Sequence, residues 1–103
     1  MPTYETLTRF TADLQHLTPA QRHRFRRVVR TAFVSDLRAG NGFRPGLRVK
    51  RVQCARHGVY ELTWSMGTGP AGRATWQYGT PVRPGQPHII WRRIGTHDIL
   101  TGP

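Results

Sequence analysis

GVYELTWS (residues 58–65) is the stretch on which the reading of the fold turns. Tyr60, Leu62 and Trp64 alternate with Val59, Glu61 and Thr63, and a period of two puts the two sets on opposite faces of a strand. GRATWQYG (72–79) repeats the arrangement, with Ala74, Trp76 and Tyr78 on one side and Arg73, Thr75 and Gln77 on the other. One face of this pair is therefore aromatic and apolar, the other polar. HIIWRRIGTHDIL (88–100) supplies a third strand. Its Ile89, Ile90, Trp91 and Ile94 are apolar on both sides, which places it near the middle of a sheet. Gly95 ends it, and Thr96-His97-Asp98 follow.

Outward from these strands, the connections are plain. MGTGPAG (66–72) is a hairpin loop, and TPVRPGQP (80–87) holds three prolines and cannot be regular. Upstream, Leu47-Arg48-Val49-Lys50 alternates, and Val52 and Cys54 continue in the opposite phase. That slip marks a bulge or a strand end near Arg51. Arg56-His57-Gly58 reads as a turn. His57 and His88 sit at strand edges and read as exposed histidines without a role.

The first forty residues change to a helical period. Tyr4, Leu7, Phe10, Leu14 and Leu17 form one stripe and predict a helix over 3–17, capped by Thr3 with Glu5 in its first turn. Tyr4, Thr6, Thr8 and Phe10 also alternate, so a strand at 4–10 competes. Thr18-Pro19-Ala20-Gln21 is a capping box with proline at the first helical position. It starts a helix over 19–39 whose apolar stripe is Phe25, Val28, Val29, Ala32, Phe33 and Leu37. Arg22, Arg24, Arg26, Arg27 and Arg30 lie around its other faces and read as a solvated surface. Gly40-Asn41-Gly42 stops it. The expected architecture is α+β: an N-terminal helical hairpin packed on a roughly four-stranded antiparallel sheet.

At 103 residues the chain makes one domain, residues 1–103. Its 37% hydrophobic content, with three Trp and four Phe, favours a packed core over a disordered tail. No apolar run approaches the roughly 20 residues of a membrane span, and the first residues lack a signal-peptide pattern. The expectation is a cytoplasmic protein with no membrane partner. Cys54 is the sole cysteine, so no internal disulfide forms, and it reads as a small half-buried apolar residue rather than a nucleophile.

The net charge of +11 is the strongest compositional feature. Of sixteen basic residues fifteen are arginine, against five acidic ones. A GC-rich coding bias explains arginine over lysine but not the shortage of acids. Such one-sided charge points to a polyanionic or acidic partner, and arginine pairs bidentately with phosphate.

Common cofactor and metal motifs are missing. There is no Walker A loop, no dinucleotide fingerprint, no CxxC pair and no HExxH, and Ser35 and Ser65 lack a nucleophile elbow. No cofactor and no metal site are expected. What remains is a polar sheet face bearing Glu61 and Arg73, with His97 just beyond the last strand. Arg48, Lys50, Arg51, Thr63, Arg92 and Arg93 flank it as candidate RNA contacts. RNA is cleaved by attack of its own 2′-hydroxyl on the adjacent phosphorus, given a base, cations and an acid. A glutamate, an arginine and a histidine supply those roles. Taken singly, Glu61 also reads as an ion-pair partner of an arginine, and His97 as a surface histidine.

The C-terminal half resembles the RelE/ParE toxin superfamily, and within it the RelE and HigB branches. The resemblance rests on Gly58-Val59-Tyr60-Glu61-Leu62-Thr63-Trp64, on Gly72-Arg73 followed by Tyr78, and on Ile94-Gly95-Thr96-His97-Asp98-Ile99-Leu100. It spans roughly residues 10–100. It implies a toxin of a toxin–antitoxin pair that cleaves mRNA on the ribosome and is neutralised by a cognate antitoxin, whose helix would cover the polar face or displace a terminal element. Arg73 would be the transition-state arginine, and His97 falls where the family places a catalytic arginine or histidine. Glu61 and Thr63 stand where RelE-type enzymes carry lysines, and Leu100 stands at the family's C-terminal tyrosine. The family also opens with a strand, unlike the helix that periodicity gives over 3–17. Two other functions compete: a gyrase-inhibiting toxin of the ParE kind, which shares the fold but lacks the RNase residues, and a basic RNA-binding domain without catalysis.

Overall fold

The computed structural model describes residues 2–53 and 58–103, so the readings made for Cys54 and for the turn at Arg56-His57 lie outside the described residues. The chain opens with a strand, β1 (Thr3–Thr6), followed by helix α1 (Thr8–Gln15). Helix α2 (Pro19–Val28) runs through a π-helical turn (Val29–Phe33) into α3 (Val34–Ala39) as one rod. A 3₁₀ turn (Pro45–Leu47) leads to the strands β2 (Lys50–Arg51), β3 (Val59–Trp64), β4 (Gly72–Gly79) and β5 (His88–Gly95), and a 3₁₀ turn (His97–Thr101) follows. The sheet has five strands in the order β1-β5-β4-β3-β2. No helix among the described residues is long and apolar enough to cross a membrane.

Two expectations need correction. The sheet is mixed and five-stranded, not four-stranded and antiparallel, because β1 pairs parallel with β5 from Thr3↔His88 to Thr6↔Trp91. The helices accordingly follow a strand instead of opening the chain. The helix read over 3–17 is strand to Thr6 and helix only from Thr8. Tyr4 and Thr6 satisfy both periods, and a long-range partner, the β5 edge, decides between them. Thr3 caps no helix. Its hydroxyl stands 2.7 Å from His88 Nδ1.

His88 is itself a correction. It is 7% exposed, not a surface histidine, and its Nε2 lies 2.8 Å from Glu5 Oε1. Together with Thr3 it ties the parallel edge strand to the sheet.

The reading of α2 holds. Thr18 Oγ1 accepts from Gln21 N at 3.1 Å, and Thr18 N donates to Gln21 Oε1 at 2.9 Å. The rod ends at Gly40, which takes the left-handed conformation with φ 72°. The π turn has a reason in the sequence. Phe25, Val29, Phe33 and Leu37 repeat every fourth residue, and on an ideal α-helix that row drifts by about 40° per step. A wider turn cancels the drift and keeps the row on the sheet.

The core lies between this rod and the apolar sheet face. Phe33 and Trp76, 1% and 0% exposed, meet edge to face with centroids 4.9 Å apart. Phe25 packs edge-on against Trp64 and Trp91. Trp64 crosses to Gly72 on β4, where a Cβ would stand 2.6 Å from its indole. Glycine there is what lets the indole lie flat over the neighbouring strand.

Candidate functional site

The opposite sheet face collects the polar residues. Register explains which ones meet. Across β2–β3, Lys50 pairs with Glu61, and across β3–β4, Glu61 pairs with Thr75 and Thr63 with Arg73. Glu61 and Arg73 are thus diagonal neighbours on one face, and their side chains meet at 3.5 Å, Arg73 Nε to Glu61 Oε1. Both atoms are buried and neither makes a hydrogen bond. Arg73 Nη1 donates only a long bond, 3.3 Å, to the Gly72 carbonyl. The pair has hydrogen-bonding capacity to spare in a place where buried polar atoms are normally satisfied.

The polar face is not open along its length. The 3₁₀ turn after β5 folds back over it. Gly95, the cross-strand partner of Arg73, makes this possible: a Cβ there would sit 3.0 Å from Ile99 Cγ2, so Ile99 drops onto the strand. Thr75 is fully buried and donates to the Pro103 carbonyl at 3.3 Å. Glu61 is only 3% exposed.

Folding back has a second effect. It brings His97 and Leu100 to a cleft of about 420 Å³ that they share with Lys50, Arg51, Gln53 and Glu61. His97, 36 positions from Glu61 in the chain, thereby joins it on one surface. Arg51 also leans over the Tyr60 ring, with its guanidinium carbon 6.0 Å from the centroid. Arg48, Thr63 and Arg73 line an adjoining cleft of about 410 Å³ with Ser65 and Met66. Arg73 is the common wall: it borders the second cleft while pairing with the glutamate of the first.

Leu47 belongs to the 3₁₀ turn and Arg48 takes φ 48°, so the strand expected from residue 47 starts at Lys50. That left-handed residue turns Arg48 toward the second cleft instead of placing it on β2.

Arg92 and Arg93 are both engaged in hydrogen bonds within the fold. A register irregularity opposite Thr75/Trp76 leaves Arg92 as an extra residue in β5, between Trp91 opposite Trp76 and Arg93 opposite Thr75. Arg93 Nε donates to Asp13 Oδ2 at 2.6 Å and Arg93 Nη1 to the Gly102 carbonyl at 3.0 Å. Arg92 donates to the Gln77 side chain and, at 2.9 Å, to the Pro103 carbonyl. They anchor α1 and the returning segment.

Among the described residues no three His, Cys, Asp or Glu side chains come together as a metal site would require. Gln53 and Leu100 complete the first cleft and were not singled out as site residues from the sequence. Leu100 is marked only by the resemblance, as the family's C-terminal tyrosine position, and nothing in the local pattern marks Gln53; both arrive there through the fold of β2 and the returning turn. No protein-family model, no curated protein and no solved structure matches this chain.

Proposed function

We propose that the chain is an endoribonuclease toxin of the RelE/HigB kind, acting on mRNA in the ribosome and held inactive by an acidic antitoxin in the cytoplasm. One observation carries the catalytic part. Glu61 joins the other two residues chosen for their chemistry: it pairs with Arg73 from β4 and shares a cleft with His97, from the turn after β5, and with Lys50.

Their roles follow from the reaction. The Glu61 carboxylate accepts the proton of the 2′-hydroxyl as its oxygen attacks phosphorus. Arg73 and Lys50 neutralise the added charge of the pentacoordinate phosphate. His97, protonated, gives a proton to the departing 5′-oxygen as the P–O5′ bond breaks. The products are a 2′,3′-cyclic phosphate and a 5′-hydroxyl. The unspent donor on Arg73 favours this reading, since an arriving phosphate would satisfy it.

A second reading has its own support. Glu61 is buried against Arg73, as in a structural ion pair, and this favours a basic RNA-binding domain without catalysis. The two separate on ribosomes programmed with an mRNA codon in the A site, with cleavage mapped by primer extension. A cut within that codon, lost in Arg73→Ala and His97→Ala, supports the nuclease. Salt-sensitive binding without a cut supports the RNA-binding domain. No cut and no binding would shift attention to gyrase, tested by supercoiling.

A further inference from the structure

We infer that α2 carries a second nucleic-acid contact: a cleft formed by His23, Arg24 and Arg27 that binds the phosphodiester backbone of single-stranded RNA and continues the track leading from the Glu61–Arg73 pair. This rests on the RNA reading above and extends it to a surface that reading does not use.

The cleft has a volume of about 500 Å³ and lies between α2 and Ser65 at the end of β3. Arg27 stands three residues from Arg24 and four from His23, on one side of the helix, and the two arginines repel as like charges. A cluster held together against that repulsion is suited to an anion. Among the described residues no acidic side chain is paired with these three. Of the five acidic side chains, Glu5 is at His88, Asp13 at Arg93, Asp36 at Arg44 and Glu61 at Arg73. The fifth, Asp98, lies in the 3₁₀ turn after β5.

The arginines of this helix are not equivalent. Arg22 is structural: its Nη1 donates to the carbonyls of Leu17 at 2.6 Å and Leu14 at 3.1 Å, closing the α1–α2 connection. Arg24 instead reaches across to the β3–β4 loop, where a Cβ on Gly67 would stand 3.2 Å from its Nε. Glycine at 67 thus allows the guanidinium to lie against the loop beside the cleft.

Continuity fixes the occupant. Ser65 lines both this cleft and the one holding Arg48, Thr63 and Arg73. Arg73 in turn contacts Glu61, which lines the cleft with His97 and Lys50. Basic clefts that share Ser65 and lead to Arg73 suit a flexible polyanion with regularly spaced charges. A single-stranded backbone has that form, and such proteins engage about 4–16 nucleotides in a tracking groove.

The test uses fluorescein-labelled all-deoxy oligonucleotides, which present the same phosphates but lack the attacking hydroxyl. Binding to the full chain is followed by anisotropy over a salt series, with oligomers of about 4 and about 12 nucleotides. For the longer oligomer, Arg24→Ala/Arg27→Ala should make the slope of log K against log salt shallower by about 1.4, two contacts at about 0.7 each. The shorter oligomer, held at Arg73 alone, should change little. Arg24→Lys/Arg27→Lys should restore the slope, and Arg83→Ala, in the 80–87 loop, should leave it intact. An unchanged slope in the Ala pair, or an equal change in Arg83→Ala, overturns the inference. RNA cleavage is scored in parallel. Cleavage lost in Arg73→Ala with an unchanged slope in the Ala pair would leave the nuclease reading and remove the track. A reduced slope with no cleavage by the wild type would keep the track and remove the nuclease reading.

Discussion

The two faces of this sheet are built on opposite terms. The face under the α2–α3 rod is a continuous aromatic cluster: Phe25, Phe33, Trp64, Trp76 and Trp91 touch edge to face or at a tilt and bury their rings. The other face buries a glutamate against an arginine and leaves atoms of both without hydrogen bonds. Apolar burial is worth roughly 25 cal/mol per Å² and accounts for the first face. A buried ion pair rarely repays its desolvation, and removing one partner costs more than removing both. The first face therefore carries the stability. The second is the kind of local inconsistency that chains tolerate where a site is needed.

If that division is right, substitutions on the two faces should separate stability from activity. The largest effect is expected on the aromatic side. Phe33→Ala should lose about 3–5 kcal/mol of unfolding free energy in urea, a large share of what a domain this size has. Where the variant still folds, its cleavage per folded molecule should be unchanged. The polar face should respond in the opposite sense. Glu61→Leu/Arg73→Met should abolish RNA cleavage, while its stability stays level or rises by as much as about 4 kcal/mol. Arg73→Met alone should be less stable than the double variant, because it strands the carboxylate. Equal stabilities for the single and the double variant would break the comparison.

Gly72→Ala sharpens it at the seam between the faces. A methyl placed 2.6 Å from the Trp64 indole must displace it, at a cost of about 1–3 kcal/mol in thermal or chemical unfolding. The smallest effect belongs to neither face. Arg44 donates from its backbone and its guanidinium to Asp36, and these bonds hold the Asp36 carboxyl at about 2, below its ordinary 3.8. Because the folded value is the lower one, the contribution is present above about pH 4 and fades as pH falls toward 2. Asp36→Asn should be slightly less stable than wild type at neutral pH, and the two should converge near pH 2 in acid-unfolding curves.

The sequence was most legible where a single local rule decided. The capping box at Thr18, the glycine stop at Gly40 and the alternation in β3 and β4 each needed only neighbouring residues. Reading failed where a distant partner decided. Tyr4 and Thr6 fit either period until β5 offers its edge for parallel pairing, and His88 is met by Thr3 and Glu5 from that strand. The candidate site was legible in kind. Glu61 and Arg73 meet as alternation implies, but the returning turn that brings His97 to them depends on Gly95 giving way to Ile99. Arg92 and Arg93 read as a basic flank, and alternation alone does not show that both also bond the returning segment. The helix arginines read as a uniform solvated surface, although Arg22 and Arg24 have different surroundings in the fold.

The most direct test of the account is the chemistry of the RNA ends left by the purified protein on ribosome-bound mRNA, compared between wild type and Arg73→Ala. The account predicts 2′,3′-cyclic phosphate and 5′-hydroxyl ends, at a rate lower in Arg73→Ala by about 10²–10³-fold. Fragments with 5′-phosphate ends, or undiminished cleavage by Arg73→Ala, would contradict it.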